Sequence, residues 1–231
     1  MGSLLSQLGG RSIHVPTSFG LLRGRLIDQG EHRILAIERH LSGHRSPPHQ
    51  VNYRAMALGL KALGARHCLA TAAVGALHPA LTIGSFAVCT DFIDLTGRNL
   101  TLFETSAQHR DFSQPMGSAA QKALLAATGA TCLSSQPSTT YVATSGPRYE
   151  TPAEVSFARQ IGGDVVGMTA ASEAVVMREA GIDYACLAIV TNLAAGIGKS
   201  ELSHGDVKQV MERSGAAAVK ILLEAVNLLW V

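Results

Sequence analysis

Three short apolar runs in this chain each lead to a polar side chain, and this pattern constrains the fold more than any other feature. Thr140–Thr144 runs into Gly146-Pro147-Arg148-Tyr149-Glu150-Thr151-Pro152-Ala153-Glu154, Asp164–Met168 runs into Thr169, and Tyr184–Thr191 runs into Asn192. Each run has strand length, and helix-like stretches follow at 152–161, 171–180 and 206–229. Pro152 suits the first turn of its helix. Upstream the alternation continues. Residues 20–26 and 33–38 read as a strand pair around a Gln29-Gly30-Glu31 turn, and 68–74 and 86–93 as further strands. Residues 51–63 read as a helix with Tyr53, Met56, Ala57, Leu60 and Leu63 on one face and Gly64 as its cap, and 118–128 as a helix ended by Gly129. Strands alternating with helices predict one α/β domain. In an open sheet of that kind ligands sit at strand ends, which makes Glu150, Thr169 and Asn192 candidates for one pocket. The irregular stretches 44–50 and 94–115 are candidate site loops.

Composition removes several functional classes. Apolar residues make up 47% and charged residues 16%, so a sizeable core is expected and general disorder is not. A net charge of +2, 5% aromatics and no basic run argue against a nucleic-acid surface. No apolar window reaches about 18 uncharged residues, so no membrane span is expected, and no signal peptide is visible. Cys68, Cys89, Cys132 and Cys186 lack C-x-x-C spacing. They read as small buried hydrophobes rather than disulfides or zinc ligands, which fits a reducing cytoplasm. His44 and His49 have neither helical register nor an acidic partner, so no metal site is expected.

Four constellations carry possible chemistry, and each also has a plain structural reading. Arg39-His40 offers a planar donor fork and an adjustable donor to an anion, or is a solvated pair. The small residues of Thr71-Ala72-Ala73-Val74-Gly75-Ala76 let backbone N–H groups approach phosphate, or pack a strand tightly on a helix. Thr169 stands where an anion meets a helix start, or Thr169 or Ser172 caps that helix with Glu173 completing the cap. Met168 offers a soft surface beneath a sugar, or is core. Glu150 and Asn192 can read the edge of a heteroaromatic base. Equally, a carboxylate suits a helix start and an asparagine a turn.

Taken together, Arg39-His40, the Pro47–Arg54 segment, Gly146–Glu154, Val166-Gly167-Met168-Thr169 and Thr191-Asn192 resemble the trimeric purine nucleoside phosphorylase and methylthioadenosine phosphorylase family over residues 15–228. The resemblance implies a single α/β domain over 1–231, with a twisted mixed sheet, partly barrel-like, flanked by helices. It implies no metal and no cofactor, with phosphate as co-substrate. It also implies a homotrimer, or a hexamer built as a dimer of trimers. The implied reaction is phosphorolysis of a purine nucleoside to free base and ribose 1-phosphate. Arg39, His40, Ala72, Ala73 and Thr169 match phosphate-binding positions, and Met168 matches the residue beneath the sugar. Glu150 matches the carboxylate that contacts N1–H of a 6-oxopurine, and Asn192 the carboxamide at N7 and O6. Methylthioadenosine phosphorylases carry a small hydroxyl residue and an aspartate there, so a hypoxanthine or guanine base is implied. His204 lies where 6-oxopurine enzymes place a histidine at the 5′-hydroxyl, and His109 resembles a residue lent by a neighbouring subunit.

The departures fall on the phosphate side. The family's first strand and its Gly-Thr/Ser-Gly loop are expected to be absent, with Gly9-Gly10-Arg11-Ser12 a weak substitute. Leu41-Ser42-Gly43 replaces a Gly-rich turn, Ala72 a threonine or asparagine, and Ser172 a proline. Alternatives are a 5′-methylthioinosine or methylthioadenosine phosphorylase, a phosphate-independent nucleosidase, and a non-catalytic nucleoside-binding member.

Overall fold

Two sheets form, because the amino-terminal strands pair only with each other while the later ones close on themselves. The computed structural model describes residues 9–30, 32–41, 45–130, 135–198 and 203–230, with backbone alone for 135–137 and 204. The expectations at Glu31, Ser42–His44 and Cys132, and that of a missing first strand and loop before residue 9, lie outside the described residues. In the first sheet, β1 (Arg11–Thr17), β2 (Gly20–Gln29) and β3 (His32–Ala36) form an antiparallel meander. β1 extends the folded region upstream of the expected boundary at residue 15. Its half-buried Ile13 and Val15 alternate with exposed Ser12 and His14, the period of a half-buried strand. Gly9 and Gly10 tie into this sheet, since their carbonyls accept from Arg25 Nη2 at 3.1 and 2.9 Å.

Helix α1 (Tyr53–Ala62) starts where the Asn52 side chain accepts from the Ala55 N–H at 3.0 Å. Tyr53, Met56, Ala57 and Leu60 are buried as predicted, but Leu63 is 45% exposed because the helix ends at Ala62 and Leu63 becomes its cap.

The second sheet is a closed barrel in the order β4 (His67–Ala76), β7 (Val165–Gly167), β6 (Ser135–Ala143), β5 (Phe86–Asp94), β8 (Asp183–Leu193). β4 runs parallel to β8 and β6 lies parallel between β5 and β7, while the β4–β7 and β5–β8 seams are antiparallel. The barrel is therefore mixed, as the family resemblance implied. The open-sheet rule used to group the strand ends does not transfer to it unchanged. Tyr184–Thr191 of β8 is buried throughout, and each buried Leu, Ile or Val contributes about 1.5–3 kcal/mol. Helix α2 (Ser118–Ala130) packs Ala120, Leu124 and Ala127 with Ala218, Ile221 and Ala225 of α5 (His204–Leu229) against this strand. Cys68, Cys89 and Cys186 are free thiols, the last two fully buried.

Helix α3 (Pro152–Gln160) opens on a reciprocal cap. Thr151 Oγ1 accepts from the Glu154 N–H at 3.2 Å, and the Glu154 carboxylate accepts from the Thr151 N–H at 2.8 Å. Arg148 grips the same carboxylate with both Nη groups at 2.8 and 2.7 Å. Those bonds hold the Glu154 carboxyl down at about 2, below its ordinary 4.5. A depressed folded-state pKa contributes stability that is complete above the ordinary range and lost as pH falls toward about 2. Thermal midpoints of wild type and Glu154→Gln between pH 6 and pH 2 should therefore differ near neutrality and converge at the acid end.

Candidate active site

β7 stands between β6, which leads to Glu150, and β4, which pairs on its other side with the strand that carries Asn192. Its three residues pair with β4 on one side, Gly75 opposite Val166, and with β6 on the other, Ala143 opposite Gly167. Beyond β6, the Thr144 N–H donates to the Gly167 carbonyl at 2.9 Å, and Thr144 Oγ1 donates to Glu150 Oε1 at 2.6 Å. One carboxylate oxygen is thus fixed and the other keeps its acceptor capacity. Glu150, Thr144, Gly146 and Val166 line a cavity of about 240 Å³ beneath α3. Arg39, Met168, Thr169 and Asn192 are not among its lining residues.

Asn192 meets the same neighbourhood from the far side. It lies within β8, not after it, because pairing with β4 continues to Leu193 across a register shift at Val74/Gly75. A Cβ placed on Gly75 would fall 3.1 Å from Asn192 Nδ2 and 3.3 Å from Val166 Cγ1. Glycine there leaves room for the carboxamide to lean over the strand from one side and Val166, a wall of the Glu150 cavity, from the other. Asn192 Oδ1 accepts from Thr191 Oγ1 at 2.9 Å, and Nδ2 donates to the Leu193 carbonyl at 3.0 Å. A carboxamide nitrogen carries two hydrogens, so one remains for a ligand.

The anion side forms on α4 (Ala170–Ala180). Thr169 occupies its N-cap position, yet its side chain makes no capping bond. Its N–H is spent on Tyr141 Oη at 3.1 Å, so the hydroxyl is the group left for an anion. Ser172 and Glu173 do not complete a cap either. Ser172 Oγ accepts from Arg98 Nη1 at 3.4 Å, while Glu173 Oε1 sits 3.2 Å from Arg39 Nη1. Thr169 and Glu173 stand four residues apart and share a helix face, so the ion pair brings Arg39 to the face that carries Thr169. Arg39 Nη2 donates to the Thr71 carbonyl at 2.7 Å, and Nε is buried with no acceptor among the described residues. Burial opposes the guanidinium charge, but the Glu173 carboxylate leads the opposing effects and Arg39 is held protonated above its ordinary range. Burial, then Glu173, pushes the Tyr53 phenol up to about 12, so it stays neutral.

The two alanines of the small-residue strand differ in their surroundings. Arg39 reaches Thr71 on the edge of β4 that β7 does not cover. Backbone groups alternate sides along a strand, so Ala73 presents its N–H on that edge and Ala72 turns toward β8. Ala72 is also buried in the core, whereas Ala73 is exposed. Of the two alanines expected at an anion, Ala73 is the one that this parity leaves on the open edge. His40 Nδ1 donates to the Ser46 carbonyl at 2.9 Å and tightens the loop after Arg39.

Met168 joins the two halves. Gly146 holds φ +59°, and a Cβ there would fall 2.3 Å from Met168 Sδ. Gly146→Ala should cost about 1–2 kcal/mol from left-handed backbone alone, more where Met168 cannot yield. A denaturant melt no different from wild type would show that this turn is not held. His109 is exposed on the 94–115 stretch, and no bond to the residues above involves it. His204 opens α5 by its backbone, and its side chain lies outside the described residues.

Thr144, Tyr141, Arg98 and the ion-pair role of Glu173 were missed from sequence. The first two are ordinary strand residues in the chain, and no local pattern distinguishes them. Arg98 falls in the irregular 94–115 stretch, and that is its one signal in the sequence.

Residues 11–227 match the model of the phosphorylase superfamily. The 6-oxopurine nucleoside phosphorylase of Pyrococcus furiosus is 38% identical over 224 residues, which cover 93% of this chain and 84% of that protein. A probable S-methyl-5′-thioinosine phosphorylase of Pseudomonas syringae is 39% identical over 235 residues, with 97% and 95% covered. Among solved structures, methylthioadenosine phosphorylase from Schistosoma mansoni in complex with adenine superposes with a TM-score of 0.90 at 30% identity, over 94% of this chain and 84% of that one.

Proposed function

The chain belongs to the phosphorylase superfamily, and on that premise we propose that it cleaves a 6-oxopurine nucleoside with phosphate, giving free base and ribose 1-phosphate. The observation that carries the base assignment is the pairing of a fixed carboxylate with a carboxamide. Glu150 is anchored by Thr144, and Asn192 leans over Gly75 from β8 as Val166, a wall of the Glu150 cavity, does from β7. A carboxylate accepts N1–H of hypoxanthine or guanine, a hydrogen that adenine lacks.

The chemistry follows from where charge develops. As the bond between the anomeric carbon and N9 lengthens, its electron pair leaves with the purine and positive charge grows on the sugar. The spare hydrogen on Asn192 Nδ2 meets the charge growing at N7, and Glu150 keeps the N1 proton in place. Phosphate held by Arg39 Nε, the Thr169 hydroxyl and the Ala73 N–H lies beneath the sugar, offsets its charge and then bonds the anomeric carbon. His40 shapes the loop at this subsite and Met168 supports the ribose. Catalysis of this kind is preorganised electrostatics, with no covalent enzyme intermediate and no metal or cofactor required.

A 5′-methylthioinosine substrate is the second reading, favoured by the Pseudomonas relative's near-complete coverage in both directions. It shares the base and differs only at the 5′ position, where the reading places His204. Inosine, guanosine, adenosine, methylthioinosine and methylthioadenosine, each offered with phosphate, separate the cases. Cleavage of the 6-oxopurine compounds and not the 6-amino ones is expected, and a preference for adenosine would overturn the assignment of Glu150 and Asn192.

A homotrimer is part of the proposal, with exposed His109 lent to a neighbouring subunit's sugar pocket. A cytoplasmic purine-salvage role is also part of it, in keeping with the free thiols of Cys68, Cys89 and Cys186 among the described residues. No helix among the described residues is long and apolar enough to cross a membrane.

A further inference from the structure

Glu173 is a carboxylate only 2% exposed, on the first turn of α4, and the chemistry above gives it no part. Its two oxygens have different partners. Oε2 accepts from Tyr184 Oη at 2.7 Å, and Oε1 faces Arg39 Nη1 at 3.2 Å. Arg39 is held at a second point by the Thr71 carbonyl, 2.7 Å from Nη2. A guanidinium is planar and rigid, so two fixed Nη groups define both its plane and its rotation. Each Nη keeps one further N–H, and the single N–H on Nε then points in one direction from an atom that is buried without an acceptor among the described residues. Tyr184 is itself buried, and burial together with Glu173 keeps its phenol protonated, so it can only strengthen its hold on the carboxylate.

We propose that Glu173, oriented by Tyr184, is a positioning residue of the phosphate subsite, fixing the Arg39 fork so that Nε and the Thr169 hydroxyl address the same anion. The inference rests on the phosphorolysis reading. It is geometric rather than a matter of added charge, because Glu173 offsets the charge of Arg39 and a neutral pair attracts an anion less than a bare guanidinium. The compensating gain is orientation: an aligned, charge-assisted bond to phosphate is stronger than one made by a side chain free to turn away.

Glu173→Gln keeps the size and an acceptor for Arg39 but removes the charge. Tyr184→Phe keeps Glu173 and removes only the O–H. For Glu173→Gln the phosphate KM should rise about ten-fold or more, the scale of a lost charge-assisted bond, with the nucleoside KM at saturating phosphate near wild type. Tyr184→Phe should shift the same constant in the same direction by less. Inorganic phosphate should also raise the melting temperature of wild type, and half-maximal protection should need about ten-fold more phosphate in Glu173→Gln. If that variant does not fold, Tyr184→Phe carries the test by both readouts. Unchanged phosphate KM and protection in the variants, or an equal rise in both KM values, would reduce Glu173 to a fold element. A wild type that neither uses phosphate nor is protected by it would remove the phosphorolysis reading, and this inference with it.

Discussion

Asn192→Ala is expected to lower turnover of inosine by about 10²–10³-fold, a loss of roughly 2.7–4 kcal/mol of transition-state stabilisation, while the protein stays folded. The two effects separate because the carboxamide does little for the fold. Its bonds go to the adjacent Leu193 carbonyl and the adjacent Thr191 hydroxyl. Thr191 Oγ1 also has the Val74 carbonyl at 3.2 Å, so it keeps a partner when Asn192 is cut back. The side chain is only half-buried, so cutting it back leaves no sealed cavity in the core. Against that modest structural cost stands the loss of the donor aimed at N7, where charge appears only as the bond breaks. Thermal melting should stay near wild type while kcat falls. A variant with wild-type turnover would remove Asn192 from the reaction.

Arg39→Met should damage stability and catalysis together. It leaves the Glu173 carboxylate buried with Tyr184 as its remaining partner. Breaking a buried pair from one side costs about 3–5 kcal/mol, a large part of the roughly 5–15 kcal/mol that holds a typical protein folded. The phosphate subsite loses its guanidinium at the same time. Combining Arg39→Met with Glu173→Leu separates the contributions, since an apolar pair of similar volume can restore much of the stability. The double variant should melt well above Arg39→Met alone and still fail to use phosphate. A single variant that melts within about 1 kcal/mol of wild type, inside the range of an exposed pair, would contradict the burial of this ion pair.

The parts of this molecule legible in its sequence are those set by local pattern. The apolar face of Tyr53, Met56, Ala57 and Leu60 is a helical repeat, and Thr151 with Glu154 is a capping box three residues apart. Polar residues at the ends of strand runs marked Glu150, Thr169 and Asn192 without any knowledge of how the strands pair. What was not legible depends on register between distant segments. The antiparallel seams that close the barrel, and the shift at Val74/Gly75 that carries Asn192 inside β8, follow from pairings no local window contains. Parity decided the alanines: Ala72 and Ala73 look alike in sequence, and only the edge of β4 that Arg39 occupies distinguishes them. Glu173 was misread for the same reason. At a helix start, capping is its local reading, and its actual partner stands on a distant loop. β1 failed differently, its period-two signal from Ile13 and Val15 diluted by Arg11, Ser12 and His14.

The most direct measurement is the product balance from inosine incubated with the pure protein, with and without inorganic phosphate. Hypoxanthine and ribose 1-phosphate in equal amounts, formed only when phosphate is present, is the predicted result. Hypoxanthine released with free ribose at the same rate in the absence of phosphate, or inosine bound and never cleaved, would contradict it.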